Sequence, residues 1–453
     1  MRSLTLSAQA SALRCAATFG VRDRMSLSPI LPYDDDAQPL EEQASAVDGL
    51  RVWEWLFLLF VLMIAAYALA LQPTVQTLAW YLIYLAAFGF FLLRYGAFLN
   101  GLWVALPLLL WVATAGLSYF WSDAPGHTAR ATVQLGMTVL ISLYLGARFT
   151  LFDLTRALFA VLAIAGLVSL AAILVHSGFA FDHNGTARGI FPHKNVLGGR
   201  MVLLLVCCLL LFILGWHRLL VTVAAIMGLA LVALSESGTS VVMTLGLCAL
   251  APLLLTRHAP APIRLMAYLV SLLLAAVAAW AMLAFDLDPV GMALHALGKD
   301  RTLTGRSVLW EFAESLIEAR PLLGSGFDAF WNGGDTSASH YVQYLLQQQV
   351  KNFHNSYLDI WVQLGVVGLT VTTGFLLLFA WRAVALLRHS TEATAALPAF
   401  FVTFVVCYSL SEYALFRQHS LIQILLGALY VSAALALPGP RRRQASPASW
   451  PET

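Results

Sequence analysis

The sequence predicts an all-α integral membrane protein with about twelve transmembrane helices and one large, partly helical loop. Three observations predict it. Of 453 residues, 60% are hydrophobic and 11% charged, against about 25% charged in a soluble domain. The apolar residues gather into separate runs, each near the ~20 residues that a helix needs to cross a bilayer. The positive charge, finally, is shared unequally between alternate connections.

Residues 1–50 read as a cytoplasmic N-terminal tail. Arg2, Arg14, Arg22 and Arg24 precede no long apolar stretch with a cleavage site, so the segment is no secretory signal. Asp34, Asp35, Asp36, Glu41 and Glu42 then balance the charge, and Met25 offers an alternative start. Spans one to nine occupy 51–285, at roughly 53–71, 75–93, 101–121, 131–147, 155–176, 197–215, 219–234, 239–256 and 264–285. Spans ten to twelve occupy 357–437, at roughly 357–380, 395–413 and 420–437. Residues 438–453 form a C-terminal cytoplasmic tail.

Only the connection 286–356 is long enough to fold. Within it, Ser307 to Arg320 reads as an amphipathic helix: Leu309, Phe312, Ala313, Leu316 and Ile317 form an apolar stripe, and Glu311, Glu314 and Glu318 an acidic one. Pro321 stops it, Gly324-Ser325-Gly326 turns, and a second short helix fits near 338–350.

Orientation follows from Lys and Arg. With the N-terminus inside, the inner segments hold Arg2, Arg14, Arg22, Arg24, Arg51, Arg94, Arg148, Arg156, Arg218, Arg257, Arg264, Arg382, Arg388 and Arg441 to Arg443, the majority of the 26. Yet all three lysines, Lys194, Lys299 and Lys351, fall outside, with Arg130, Arg188, Arg200, Arg301, Arg306, Arg320 and Arg417. Cations gathered on the wrong face call for an anion, and a lipid-linked phosphate is the best candidate.

Three clusters carry that charge. The first is Arg188-Gly-Ile-Phe-Pro-His193-Lys194-Asn195 with Gly198-Gly199-Arg200. Arg200 falls about a turn inside an apolar run, where it either snorkels to the interface or meets an anion in a wet cavity. Glycines there suit close approach of backbone N–H groups to that anion. The second is Lys299 to Arg306; guanidinium forks suit phosphate oxygens, and Arg306 opens the amphipathic helix at its positive dipole end. The third is Lys351-Asn-Phe-His354-Asn355-Ser-Tyr357, where a histidine at a helix mouth suits general-base work on a hydroxyl.

Weaker signals remain open. Ser235 to Ser240 is either a capped turn or a polar patch that binds sugar or positions an arginine through Glu236. Glu412, Arg417 and His419 either pair together or line the site, and Asp286 with Asp288 is an acidic pair of common spacing. The five cysteines show no metal or disulfide spacing, and the tryptophans read as interface anchors and core. No GxxxxGK[ST], dinucleotide fingerprint or HExxH occurs, and nothing suggests nucleic acid binding.

Several of these residues carry a resemblance. Leu303-Thr-Gly-Arg306-Ser-Val-Leu-Trp310, Arg320-Pro-Leu-Leu-Gly324-Ser-Gly326-Phe327, His354-Asn-Ser-Tyr357 and Leu364-Gly-Val-Val-Gly368 resemble the O-antigen ligase/polymerase family, as do Phe191 to Asn195 and Ser235 to Ser240. The order is most like the ligases that attach O-antigen to lipid A-core. The resemblance implies a fold similar to the membrane-embedded glycosyltransferases, in a bacterial inner membrane. It also implies action at the periplasmic face on a glycan linked to undecaprenyl pyrophosphate, with inversion and without metal or other cofactor. Lipid A-core is the implied acceptor; a polymerase using a glycan acceptor is the alternative, and a flippase a more distant one. Arg200 and Arg306 would grip the pyrophosphate and His354 would deprotonate the acceptor. Arg188, His193, Lys194, Asn195, Glu236, Arg301, Lys351, Asn355 and Tyr357 would contact substrate. Where some ligases carry a second histidine, this chain has Asn355.

Overall fold

The computed structural model describes residues 40–68, 71–182, 185–284, 306–332, 339 and 350–437. The chain divides into two units, Met1–Val52 and Trp53–Thr453, and the fold and site below belong to the second. The helices are α1 (Leu40–Ala65), α2 (Pro73–Leu93), α3 (Tyr95–Leu117), α4 (Pro125–Arg148), α5 (Leu151–Leu174), α6 (Lys194–Ile213) and α7 (Arg218–Leu234). There follow α8 (Gly238–Leu255), α9 (Ala261–Ala284), α10 (Arg306–Ala319), the short α11 (Ala329–Asn332), α12 (Ser356–His389), α13 (Leu397–Tyr408) and α14 (Leu421–Ala436).

The protein is an all-helical, multi-pass membrane protein. By length and composition, α2, α3, α5, α6, α8 and α12 can each cross a bilayer; α7, α13 and α14 are shorter apolar helices, as is the segment Ala261–Ala276 of α9. Each predicted span coincides with one of these or with α1 or α4. The predicted amphipathic helix is α10, with Leu309, Ala313 and Ile317 buried against Phe330, Val350, Phe353 and Val362, and Glu311, Glu314 and Glu318 exposed. Lys299, Arg301, Asp286, Asp288 and the helix expected near 338–350 lie outside the described residues.

Two helices form the centre. In α6 almost every residue from Leu197 to Leu211 is buried, and α14 is buried from Leu421 to Ala433. Helix α14 packs on α4 so closely that a methyl group at Gly146 would fall on the Ala428 carbonyl. Small residues give this close crossing because, in lipid, packing rather than hydrophobicity joins helices. By contrast Val75, Leu78, Leu82 and Leu85 of α2 are exposed, as a lipid-facing surface requires.

Alternating helix direction sends the connections to two ends. At one end the fully buried Glu54 accepts hydrogen bonds from Tyr144 (2.8 Å) and from Arg148 (2.9 Å at each oxygen), with Arg94 Nε 3.6 Å away. Arg257 there caps α12 by donating to the carbonyls of Leu387 and Ser390 (both 2.9 Å). At the other end, Asp123 N donates to Ser325 O (2.9 Å), Ser356 N to Ser409 O (2.8 Å) and Thr239 Oγ1 to Ser411 Oγ (3.1 Å). Those bonds tie the connection 118–124 to the turn at Ser325, and the first residues of α12 and α8 to the connection 409–420.

Candidate active site

Helix α12 breaks at Gly365, whose φ of 62° and ψ of −163° no helix contains. A broken helix inside a membrane must satisfy its freed backbone groups within the protein. The turn predicted at Gly324-Ser325-Gly326 does so. Ser325 N and Gly326 N donate to the carbonyls of Val362 (3.0 Å) and Gln363 (2.8 Å), and Val366 N donates to Pro321 O (2.9 Å). A methyl group at Gly365 would fall on the Leu322 carbonyl, so only glycine fits. Arg320 adds an ion pair to Asp123 at 2.6 Å. The break thereby fixes α10 over the N-terminal end of α12.

That end carries His354. Asp359, fully buried in the first turn of α12, accepts from Phe353 N (3.1 Å) and Trp331 Nε1 (3.3 Å). Trp310 Nε1 donates to Phe353 O (2.9 Å), so α10 and α12 both grip the residue before the histidine. Asn352 Oδ1 accepts from His354 N (2.9 Å) and stabilises its left-handed backbone, φ 52°. His354 Nδ1 then lies 3.7 Å from Glu412 Oε2, within ion-pair range but beyond a hydrogen bond. Asn195 Nδ2 donates to the other carboxylate oxygen at 2.5 Å. Ser356 Oγ fixes the same loop, donating to Glu412 O (2.7 Å) and accepting from Ala414 N (2.8 Å). The result is an array Asn195–Glu412–His354 in which a carboxylate faces an imidazole at ion-pair distance.

Asn195 and Arg200 stand on one helix, about 8 Å apart in rise. Arg200 is 5% exposed, and its Nε and Nη1 have no hydrogen-bond partner among the described residues. Tyr67, Tyr408 and Arg417 lie within electrostatic reach of it. The snorkelling alternative is thus excluded: the guanidinium is enclosed. Gly198 and Gly199 serve differently from expectation. Both sit inside α6 and let Ser240 of α8 and Tyr408 of α13 pack against it; methyl groups there would overlap those side chains.

Beside this centre opens a cavity of about 440 Å³. Its lining includes Tyr67 and Arg417, which lie within electrostatic reach of Arg200, and Asn352, which holds His354 N, together with Asp328, Lys351, Trp80, Tyr84 and His419. His419 stacks on Trp80 at 4.4 Å and bonds to Tyr84 Oη. Burial pushes its imidazole down to about 4, so it is uncharged at neutral pH. The backbone here is unusual. Eight non-glycine residues have positive φ among those described, and seven belong to this end: Tyr67, His176, Glu236, Asp328, His354, Phe416 and His419. Such conformations cluster at functional sites.

The predicted residues divide. Asn195 and His354 meet at Glu412, Arg200 stands on the helix of Asn195, and Lys351 lines the adjoining cavity. Lys194 opens α6, and His193 caps it by accepting from Asn195 N at 3.3 Å. Arg306 opens α10 one turn before Trp310; its side chain lies outside what the structure describes. Four further residues expected to contact substrate are placed as follows. Arg188 donates to the carbonyls of Phe179 (3.0 Å) and Pro192 (3.2 Å), stapling its own loop. Asn355 is the N-cap of α12, accepting from Tyr357 N (3.0 Å) and Leu358 N (3.3 Å). Tyr357 donates to Val406 O (3.2 Å), joining α12 to α13. Glu236 is exposed in the α7–α8 turn, and no ion pair to Arg200 occurs among the described residues. Sequence reasoning missed Asp359, Tyr67 and Tyr408, and included Asn352 in the third cluster without giving it a role. Asp359 was discoverable: a carboxylate in the first turn of an apolar helix is costly without purpose.

A family model described as O-antigen ligase matches residues 222–373. The chain is 30% identical over 379 residues to the exopolysaccharide production protein ExoQ of Rhizobium meliloti (strain 1021), covering 78% of this chain and 85% of that protein.

Proposed function

This chain belongs to the O-antigen ligase/polymerase superfamily, and on that premise we propose that it is a glycosyltransferase that moves a glycan from a polyprenyl pyrophosphate to a sugar hydroxyl. One observation carries the reading. A buried arginine with unused donors shares α6 with the asparagine that holds Glu412 against His354. In the reaction His354 takes the acceptor hydroxyl proton while that oxygen attacks the anomeric carbon. The carbon–oxygen bond to pyrophosphate breaks, and lipid pyrophosphate departs with the electron pair. Arg200 and Arg306 absorb its charge, the preorganised stabilisation that usually contributes most. Attack opposite the leaving group inverts the anomeric centre. Pyrophosphate leaves readily, so the mechanism requires no general acid and no metal.

We place the site at the periplasmic face of a bacterial inner membrane, with both termini cytoplasmic, on the charge distribution given above. The acceptor is better read as a growing glycan than as lipid A-core. Similarity to an exopolysaccharide production protein extends over most of both chains, and the position where some ligases carry a second histidine is filled by a helix-capping asparagine. The test is reconstitution of purified protein with undecaprenyl-pyrophosphate-linked glycan and either free glycan or lipid A-core. Chain elongation in excess chelator is expected. Transfer to lipid A-core alone establishes the ligase reading, and loss of lipid-linked glycan across the membrane without any new bond removes both.

A further inference from the structure

Resting on that reading, we propose that the α2 side of the cavity is a saccharide subsite, which holds a neutral sugar ring of the donor or acceptor glycan. Helix α2 has two faces. Val75, Leu78, Leu82 and Leu85 point outward and are exposed. Gln76, Thr77, Trp80, Tyr81 and Tyr84 recur at the spacing of one helix side and line the cavity. That stripe descends about 12 Å along the helix. Gln76 and Thr77 lie in its first turns, and the aromatic rings of Trp80, Tyr81 and Tyr84 continue it inward.

Gln134 of α4 faces the same space. Neither its amide nor that of Gln76 has a hydrogen-bond partner among the described residues, so two donor–acceptor pairs remain for a ligand. The chemistry matches a sugar. Amides and phenols both donate and accept, as hydroxyls demand, and aromatic faces carry the partial negative charge that attracts the C–H side of a pyranose. An anion is poorly served there. The cations Lys351 and Arg417 come from the loops instead, and Asp328 adds a carboxylate to the same cavity. The volume lies within the ~300–1,000 Å³ of small-molecule sites. Pyrophosphate at Arg200 and sugar at α2 would then occupy neighbouring compartments.

The test uses the full chain in nanodiscs with two probes, a lipid-free oligosaccharide repeat unit of the host glycan and inorganic pyrophosphate. Gln76→Ala and Gln134→Ala should each weaken oligosaccharide binding roughly threefold to tenfold, the loss of one neutral hydrogen bond. Pyrophosphate binding should stay within about twofold of wild type, which also reports folding, and Arg200→Ala should show the reverse pattern. A raised KM for the donor alone assigns the ring to the donor, and for the acceptor alone to the acceptor. Unchanged oligosaccharide binding in the double variant, or parallel loss of both probes, overturns the subsite. If oligosaccharide binding tracks the glutamines but no transfer occurs with any acceptor, the subsite stands and the transferase reading fails. If transfer proceeds with KM unaltered for both substrates, the converse holds.

Discussion

Replacing Arg200 by methionine should make the ligand-free protein more stable and abolish transfer. The side chain is 5% exposed, and Nε and Nη1 lack partners among the described residues. Each unsatisfied buried donor costs about 1–3 kcal/mol, so two cost about 2–6 kcal/mol. Methionine keeps the flexible apolar stem and removes the donors. Imperfect packing returns part of that gain, leaving on the order of 2 kcal/mol and a melting temperature raised by a few degrees. Transfer should fall at least about 10²–10³-fold, as when one oxyanion donor is removed. The assay is thermal unfolding in detergent with and without inorganic pyrophosphate. A ligand that binds only the folded state raises Tm by mass action, so pyrophosphate should stabilise wild type and leave Arg200→Met unmoved. A lower Tm in the variant, or an equal pyrophosphate shift in both proteins, would refute the reasoning.

Three further outcomes are expected. Glu412→Gln keeps an acceptor for Asn195 but removes the charge facing His354; kcat should drop roughly 10–100-fold with KM little changed, and Glu412→Asp should restore part of it. Gly365→Ala forces a methyl group onto the Leu322 carbonyl at φ 62° and should cost upwards of about 2 kcal/mol, seen as faster hydrogen exchange at the Ser325 and Gly326 amides. His419 should make the fold acid-sensitive. Its folded value of about 4 lies below the ordinary 6.5, so the unfolded chain binds the proton first. Stability then falls as pH drops from about 6.5 towards 4; a Tm that declines equally from pH 7 to pH 5 in wild type and His419→Gln would count against this.

Local pattern carried much of the architecture. Apolar runs located the helices, and the Leu309–Ala313–Ile317 stripe located the buried face of α10, because one-sided burial imprints its period on the chain. Pro321 and the glycines at 324 and 326 marked the turn. What stayed hidden depends on distance along the chain. Glu412 meets His354 from 58 positions away, and no local spacing announces such a pair. Arg188 and Asn355 carry structural contacts that charge and polarity near a motif do not announce, because a loop needs a staple and a helix needs a cap. Asparagine immediately before an apolar helix was in fact a capping signal. The α2 stripe was visible too, but aromatic residues in a membrane helix read first as interface anchors.

The left-handed backbone at Tyr67, Asp328, His354, Phe416 and His419 bears on how this protein will respond to selection in the laboratory. Each such residue carries on the order of 1–2 kcal/mol of conformational energy that glycine or asparagine would release. A search for heat-tolerant variants should therefore recover Gly or Asn at these positions early, and those hardier proteins should be slow catalysts. Durability and turnover here draw on the same few peptide units.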